Sequence, residues 1–198
     1  MNEKNITIKE INQFLDAHPD KAFSAAKLQY SLYLEPEIEK QVKEKAQAIA
    51  KTEEDLQYET ALADTNDPEE LLRFMRKKLS GLNRDTLREK LIQNEEQMLT
   101  LIQKKSMTNG QDVFIENALY FFLHCKENCC DWIMKEYTNL RSEYLKSSLC
   151  LVLGFRGTLD AIPFLMQETV RFEKEYPNED YEQAPLLAIQ ELGVRFFD

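Results

Sequence analysis

Residues 119–132 lie over residues 149–162 without a gap, at an offset of 30: Leu119 meets Leu149, Leu123 meets Leu153 and Trp132 meets Ile162. A third copy follows when Leu192-Gly193 is set over Leu153-Gly154, at an offset of 39, with the difference absorbed by the polar stretch from Glu173 to Asp180. Each copy reads as an apolar helix, a tight turn and a second amphipathic helix. A helical hairpin of this length cannot bury its apolar face alone and must stack on its neighbours. The pattern therefore predicts an all-α fold, an α-α superhelix of stacked antiparallel helix pairs. The repeats occupy 112–198, and the helices of 1–108 continue or cap the stack within a single domain, 1–198.

The remaining chain carries helix signals of the ordinary kind. Thr7 with Glu10 forms a capping-box pattern ahead of Ile8, Ile11, Phe14 and Leu15, and His18 and Pro19 end that helix, leaving His18 in a solvated loop. Asp20 can cap a second helix through Phe23 and Leu34, after which Pro36 either kinks it or starts the next one. From Glu37 to Ala63 the thin stripe Val42, Ile49, Leu56, Ala63 predicts one long, partly solvated helix. Asp67-Pro68-Glu69-Glu70 is an N-cap with proline and two acids in the first turn, and Ser80-Gly81 reads as the stop. Asn83 then caps a helix carrying Leu87, Leu91, Met98 and Ile102, ending before Asn109-Gly110.

The copy SSLCLVLGFRGTLDAIPFLMQE, Ser147 to Glu168, resembles HEAT-like repeats, the short variety included. Its first helix closes on Leu153-Gly154, Gly157 makes the turn, Thr158 is the N-cap, and a proline, Pro163, stands near the start of the second helix. The resemblance covers roughly 112–198; the uneven spacing, and a first copy without Pro or Gly, depart from the family. It implies an α-solenoid surface that holds another macromolecule, hence binding without chemistry.

Several chemistries lack their residues. Five glycines supply neither a phosphate-cradling nor a dinucleotide-binding loop, and neither the His-Glu-x-x-His nor the Glu-x-x-His metal pattern occurs. His124, Cys125, Cys129 and Cys130 form the one cluster of metal-ligand types. Adjacent helical residues point about 100° apart and no second Cys-x2-Cys pair exists, so the cysteines, Cys150 included, read as small buried hydrophobes. In the repeat register Cys125 and Cys129 fall on Phe155 and Leu159, and Trp132 likewise falls on a core position. No metal and no cofactor is expected, and no Ser or Cys nucleophile has an assignable base.

The formal charge is −10: residues 1–106 hold 17 basic and 20 acidic side chains, residues 107–198 hold 8 and 15. That balance disfavours nucleic acid and anionic membranes and favours a basic or neutral protein partner. Arg73, Arg76, Lys77, Lys78, Arg84, Arg88 and Lys90 form the one basic concentration, which the dipole of the helix from Pro68 accounts for in part. The opening residues hold no apolar signal region and no apolar run approaches a membrane span, so a cytoplasmic protein is expected. The reading is a non-enzymatic protein-interaction module with an acidic solenoid surface, an inhibitor of a basic target being one special case. The alternative is an enzyme, since HEAT-like proteins include alkylpurine DNA glycosylases and chromophore lyase-type activities.

Partner-surface candidates are Gln167, Glu168, Arg171 and Lys174, which point away from Ile162, Leu165, Met166 and Phe172 on the second helix of the best copy. The last helix, from about Tyr181 to Phe197, has no second helix after it. Leu186, Ile189 and Phe196 should pack on the hairpin 142–174, Gly193 allowing close approach. Leu187, Leu192, Val194 and Phe197 are then left for the N-terminal helices to cover, or for a partner or homodimer through the C-terminal helix, the expected arrangement.

Overall fold

The computed structural model describes residues 6–18 and 35–197. Among these the regular structure is helical throughout, eleven α-helices and two 3-10 turns, as the all-α reading requires. The expected helix from Asp20 to Leu34 lies outside the described residues. The described chain forms two compact units: a terminal unit of residues 6–18, 129–138 and 143–197, and a central unit of residues 35–128 and 139–142.

Helix α1 (Ile8–Asp16) belongs to the terminal unit and starts on the Thr7/Glu10 capping box, both reciprocal bonds being made. His18 is not a solvated loop residue. Its Nδ1 lies 2.7 Å from the Phe14 carbonyl and its Nε2 3.4 Å from Glu173, and its side chain is largely withdrawn from solvent.

The central unit opens with α2 (Pro36–Gln47), Pro36 at its first position, which decides for a helix start over a kink. The single helix expected from Glu37 to Ala63 is two. A second capping box starts α3 (Glu53–Asp64): the Thr52 hydroxyl accepts from the Asp55 amide at 3.1 Å, and the Asp55 carboxylate accepts from the Thr52 amide at 2.9 Å. Helix α4 (Pro68–Phe74) has the expected Asp67 cap. It ends before Ser80-Gly81, which is no stop: Ser80 is the N-cap and Gly81 the first residue of α5 (Gly81–Gln93). Asn83, expected to cap that helix, is buried inside it and donates to the Asp55 carbonyl at 2.8 Å. The helix expected to run through Ile102 breaks at Asn94, whose side chain donates back to the Lys90 carbonyl, and restarts as α6 (Glu95–Ser106). Helix α7 (Asp112–His124) buries eight of its thirteen residues and packs on α5 and α6, with Leu62, Leu71, Met75, Leu87, Leu91, Met98 and Ile102 completing the core.

The terminal unit continues with α8 (Cys130–Glu136), a 3-10 turn (Tyr137–Asn139) overlapping its edge, α9 (Glu143–Arg156), a second 3-10 turn (Leu159–Ala161), α10 (Ile162–Glu175) and α11 (Gln183–Phe197). Helix α9 runs two residues past Gly154, and the Thr158 hydroxyl bonds Asp160 where a backbone cap was expected. Pro163 sits in the first turn of α10 as its position in the repeat predicts. Helices α9, α10 and α1 all pack on α11. Leu186 and Ile189 are buried as expected, but so are Leu187 and Leu192, on a helix packed against α9, α10 and α1. Phe196 instead is exposed, one turn beyond the cover that α1 and α9 provide.

Candidate functional site

Each unit holds one polar cluster. In the terminal unit it joins Glu143, Lys146 and Cys150 of α9 to Glu168 and Arg171 of α10. The Tyr137 hydroxyl donates to Glu168 at 2.7 Å and lies 3.6 Å from the Cys150 sulfur, while the ring meets Phe164 edge-on. Arg171 clamps Glu168 with Nε and Nη2 at 2.9 and 2.7 Å, reaches Glu143 at 2.8 Å and Glu175 at 3.3 Å, and stacks over Phe172. Lys146 holds the other Glu143 oxygen at 2.8 Å. Two half-buried cations thus face half-buried Glu143 and buried Glu168, which offsets the cost of withdrawing these charges from water.

The electrostatics leave this cluster unsuited to nucleophilic work. Burial drives the Cys150 thiol up to about 12, the fully enclosed sulfur donating to the Lys146 carbonyl. Burial also drives the Tyr137 hydroxyl well above its ordinary value, with Cys150 and Glu168 adding to the effect. Both groups are protonated and closed off from solvent at neutral pH. Burial pulls the Glu143 carboxyl upward, but the bonds from Lys146 and Arg171 outweigh it and hold the group below its usual range. The arrangement is a brace between α9, α10 and the Tyr137 turn.

In the central unit Arg88 is buried, stacks over Tyr120 with its guanidinium carbon 4.6 Å from the ring centre, and donates to Asn117 at 3.3 Å. Asn117 in turn donates to the Met75 and Val113 carbonyls. Half-buried Asp85 has its carboxyl raised by burial, against the opposing pull of Arg84, Lys43 and Arg88. Lys90 spans the end of α3, donating to the Ala63 and Thr65 carbonyls and Asn66. Arg73 pairs with Glu70. Arg84 lies 4.0 Å from Asp85, so four of the seven cations in the basic concentration are spent inside the fold or on a neighbour, and Arg76, Lys77 and Lys78 stay exposed.

The metal-ligand types do not converge: among the described residues no three His, Cys, Asp or Glu side chains gather as a metal site. His124 stacks on Tyr120 at 4.0 Å and its Nδ1 meets the Tyr120 carbonyl. Cys125 donates to the Glu127 carbonyl at 3.3 Å, and Cys129 and Cys130 are buried. Trp132, expected in the core, is half-buried.

Of the partner-surface candidates, Gln167 and Lys174 are exposed and Arg171 is half-buried in the brace. Glu168 is a correction: at 9% exposure it points inward to Tyr137 and Arg171. The exposed stripe of α10 is Pro163, Gln167, Val170 and Lys174, with Val170 52% exposed at its centre. Val170 went unnoticed in the sequence, although the spacing of four, three and four residues that unites these positions is the helical one. Phe197 is 40% exposed at the end of α11, beside Val194 and Phe196. Arg195, on the same turn, donates to the Phe155 and Gly157 carbonyls and ties down the loop after α9. No helix among the described residues is long and apolar enough to cross a membrane.

No family model, curated protein or solved structure matches the chain.

Proposed function

We propose that the protein is a non-enzymatic, cytoplasmic interaction module whose helix pairs stack in the HEAT-like manner and hold a basic or neutral protein partner. The observation that carries the reading is the stripe Pro163, Gln167, Val170, Lys174: a valine held open to water between polar neighbours on a helix whose other side is locked by the Glu168–Arg171–Glu143 brace. A rigid helix face with an apolar centre and a polar rim has the anatomy of a recognition surface. The net charge of −10 adds preference for basic partners and opposes nucleic acid, as does the use of Arg88 and Lys90 within the fold.

The test compares proteins captured by the tagged chain from its native host with those captured by Val170→Asp, circular dichroism confirming an intact fold. A partner retained by the unmodified protein and lost by the variant is expected. Identical capture by both would overturn the assignment of this face. Self-association through the C-terminal helix is a second reading, favoured by the exposure of Val194, Phe196 and Phe197 together.

A further inference from the structure

Helix α3 buries a single residue, Leu62. Its outer stripe is Glu53, Leu56, Gln57, Thr60, Ala61 and Asp64, all exposed, and the first five line a shallow depression. Leu56, at 51% exposure, is the apolar centre, and Thr60 and Ala61 are small enough to let another backbone approach closely.

The charge on this helix is one-sided: five acids and no base. Three of the acids are engaged. Asp55 closes the capping box, Glu54 accepts from the Tyr58 hydroxyl, and Glu59 pairs with Lys51 at 2.7 Å. Glu53 and Asp64 have no such partner among the described residues, and they stand at the two ends of the stripe, about 16 Å apart along the axis at 1.5 Å per residue. From this we infer that the outer face of α3 docks an amphipathic helix of a partner protein that carries a lysine or arginine near each end of a short apolar stretch. The inference rests on the protein-binding reading and adds to it a place and a chemistry.

Charge chooses between this occupant and a second copy of the chain. Two α3 helices related by a twofold axis set Glu53 of one against Asp64 of the other when antiparallel, and each acid against its own copy when parallel, like charge against like at both ends either way. A helix with cations at those positions meets attraction at both ends and the same apolar centre.

The test uses the full chain and a fluorescent peptide of about 18 residues, helical, with leucine and alanine on one face and two lysines about eleven residues apart to match the stripe. Anisotropy should report binding that weakens as salt is raised. The double variant Glu53→Lys, Asp64→Lys should lose at least about fivefold in affinity, since each pair turns from attraction to repulsion. Leu56→Gln should weaken binding without changing the salt dependence, and a peptide with glutamates in place of the lysines should not bind. Equal binding of the charge-reversed variant, binding of the acidic peptide, or no binding of the basic one would overturn the proposal. So would sedimentation showing a dimer that Leu56→Gln disperses. Val170→Asp separates the two readings: if it abolishes capture of a partner while the α3 variants leave that capture intact, the module reading stands and the α3 site fails.

Discussion

Gly154 on α9 and Ala188 on α11 touch backbone to backbone: a methyl group added at Gly154 would lie 2.5 Å from the Ala188 Cα and 2.6 Å from its Cβ. Two helices that bury most of their residues against each other meet at this point, so neither can move away cheaply. Gly193, which the repeat sets over Gly154, is different, for a methyl there meets only side-chain atoms at ordinary distances, Ile11 Cγ2 at 3.4 Å and Ile8 Cδ1 at 4.0 Å. Gly154→Ala should therefore destabilise the protein by about 1–3 kcal/mol, the overpacking cost exceeding the helix-propensity gain. Gly193→Ala should be neutral or stabilising by up to about 1 kcal/mol. Urea denaturation of both variants checks the pair, and equal effects would mean that the contact with Ala188 is not what requires the glycine.

Gly157 makes the same point about turns. Its requirement does not come from a left-handed backbone: a methyl at Gly157 would lie 2.4 Å from the Leu153 carbonyl oxygen, the acceptor of its own amide. Gly157→Ala should lower the melting temperature by forcing that oxygen or the turn to shift. An unchanged melting temperature would show the turn to be free to relax.

Cys150 gives a signed pH dependence. Its thiol is raised in the folded state to about 12, whereas in the unfolded chain it ionises near 8.5, as model thiols do. Below the unfolded value both states hold the proton and the contribution is fully present. As pH rises from there towards the folded value the unfolded state sheds the proton first, and stability falls by about 1.4 kcal/mol per pH unit for each such group. Tyr137, raised in the same direction, extends the loss above pH 10. Stability measured by urea melts should decline from about pH 8.5 upward, and the decline should be shallower in Cys150→Ala. A slope unaltered by that substitution would remove Cys150 from the account.

Much of the fold was legible where a signal is local and its physics is complete within one turn. Thr7 with Glu10, Pro36, Asp67 before Pro68, and Pro163 all act where they were expected to act. Thr52 with Asp55 was equally readable, being the same box as Thr7 with Glu10, but the seven-residue stripe through Leu56 masked it. Ser80-Gly81 was misread because glycine after serine fits a helix end as well as an N-cap, and only the fold of the preceding residues decides. The candidate site was less legible for a different reason. Glu168 looks like a surface acid on a helical wheel, and its burial depends on Tyr137, 31 residues away, reaching it across α9. Likewise, the packing of α1 on α11 joins the two ends of the chain, a pairing that no local signal reports.

The break between α2 and α3 is itself testable. Thr52→Ala removes the hydroxyl that accepts from the Asp55 amide and costs the Asp55 carboxylate, which the Thr52 amide and hydroxyl hold below its ordinary value, one of its donors. An exposed N-cap of this kind is worth about 1 kcal/mol. Helix α3 should fray at its first turn, so hydrogen exchange at residues 53–56 should accelerate while α7 remains protected. Unchanged protection at those residues would mean that packing of Leu62 alone holds the start of the helix.

The last prediction concerns Phe197. Val194, Phe196, Phe197 and, on α1 beside Gly193, Ile8 form an apolar end to the terminal unit. Four partly exposed side chains offer much less than the roughly 800 Å² per partner of a stable interface, so self-association through this end would be weak and concentration-dependent. Light scattering should show dimer growing as the protein is concentrated, and Phe197→Asp should hold it monomeric. Because Phe197 is exposed, the same substitution should leave stability within about 0.5 kcal/mol, which separates lost association from lost folding. A monomer at every concentration before any substitution is made would exclude this end as a homodimer surface, and retention of a captured partner by Phe197→Asp would exclude it as the partner's seat as well.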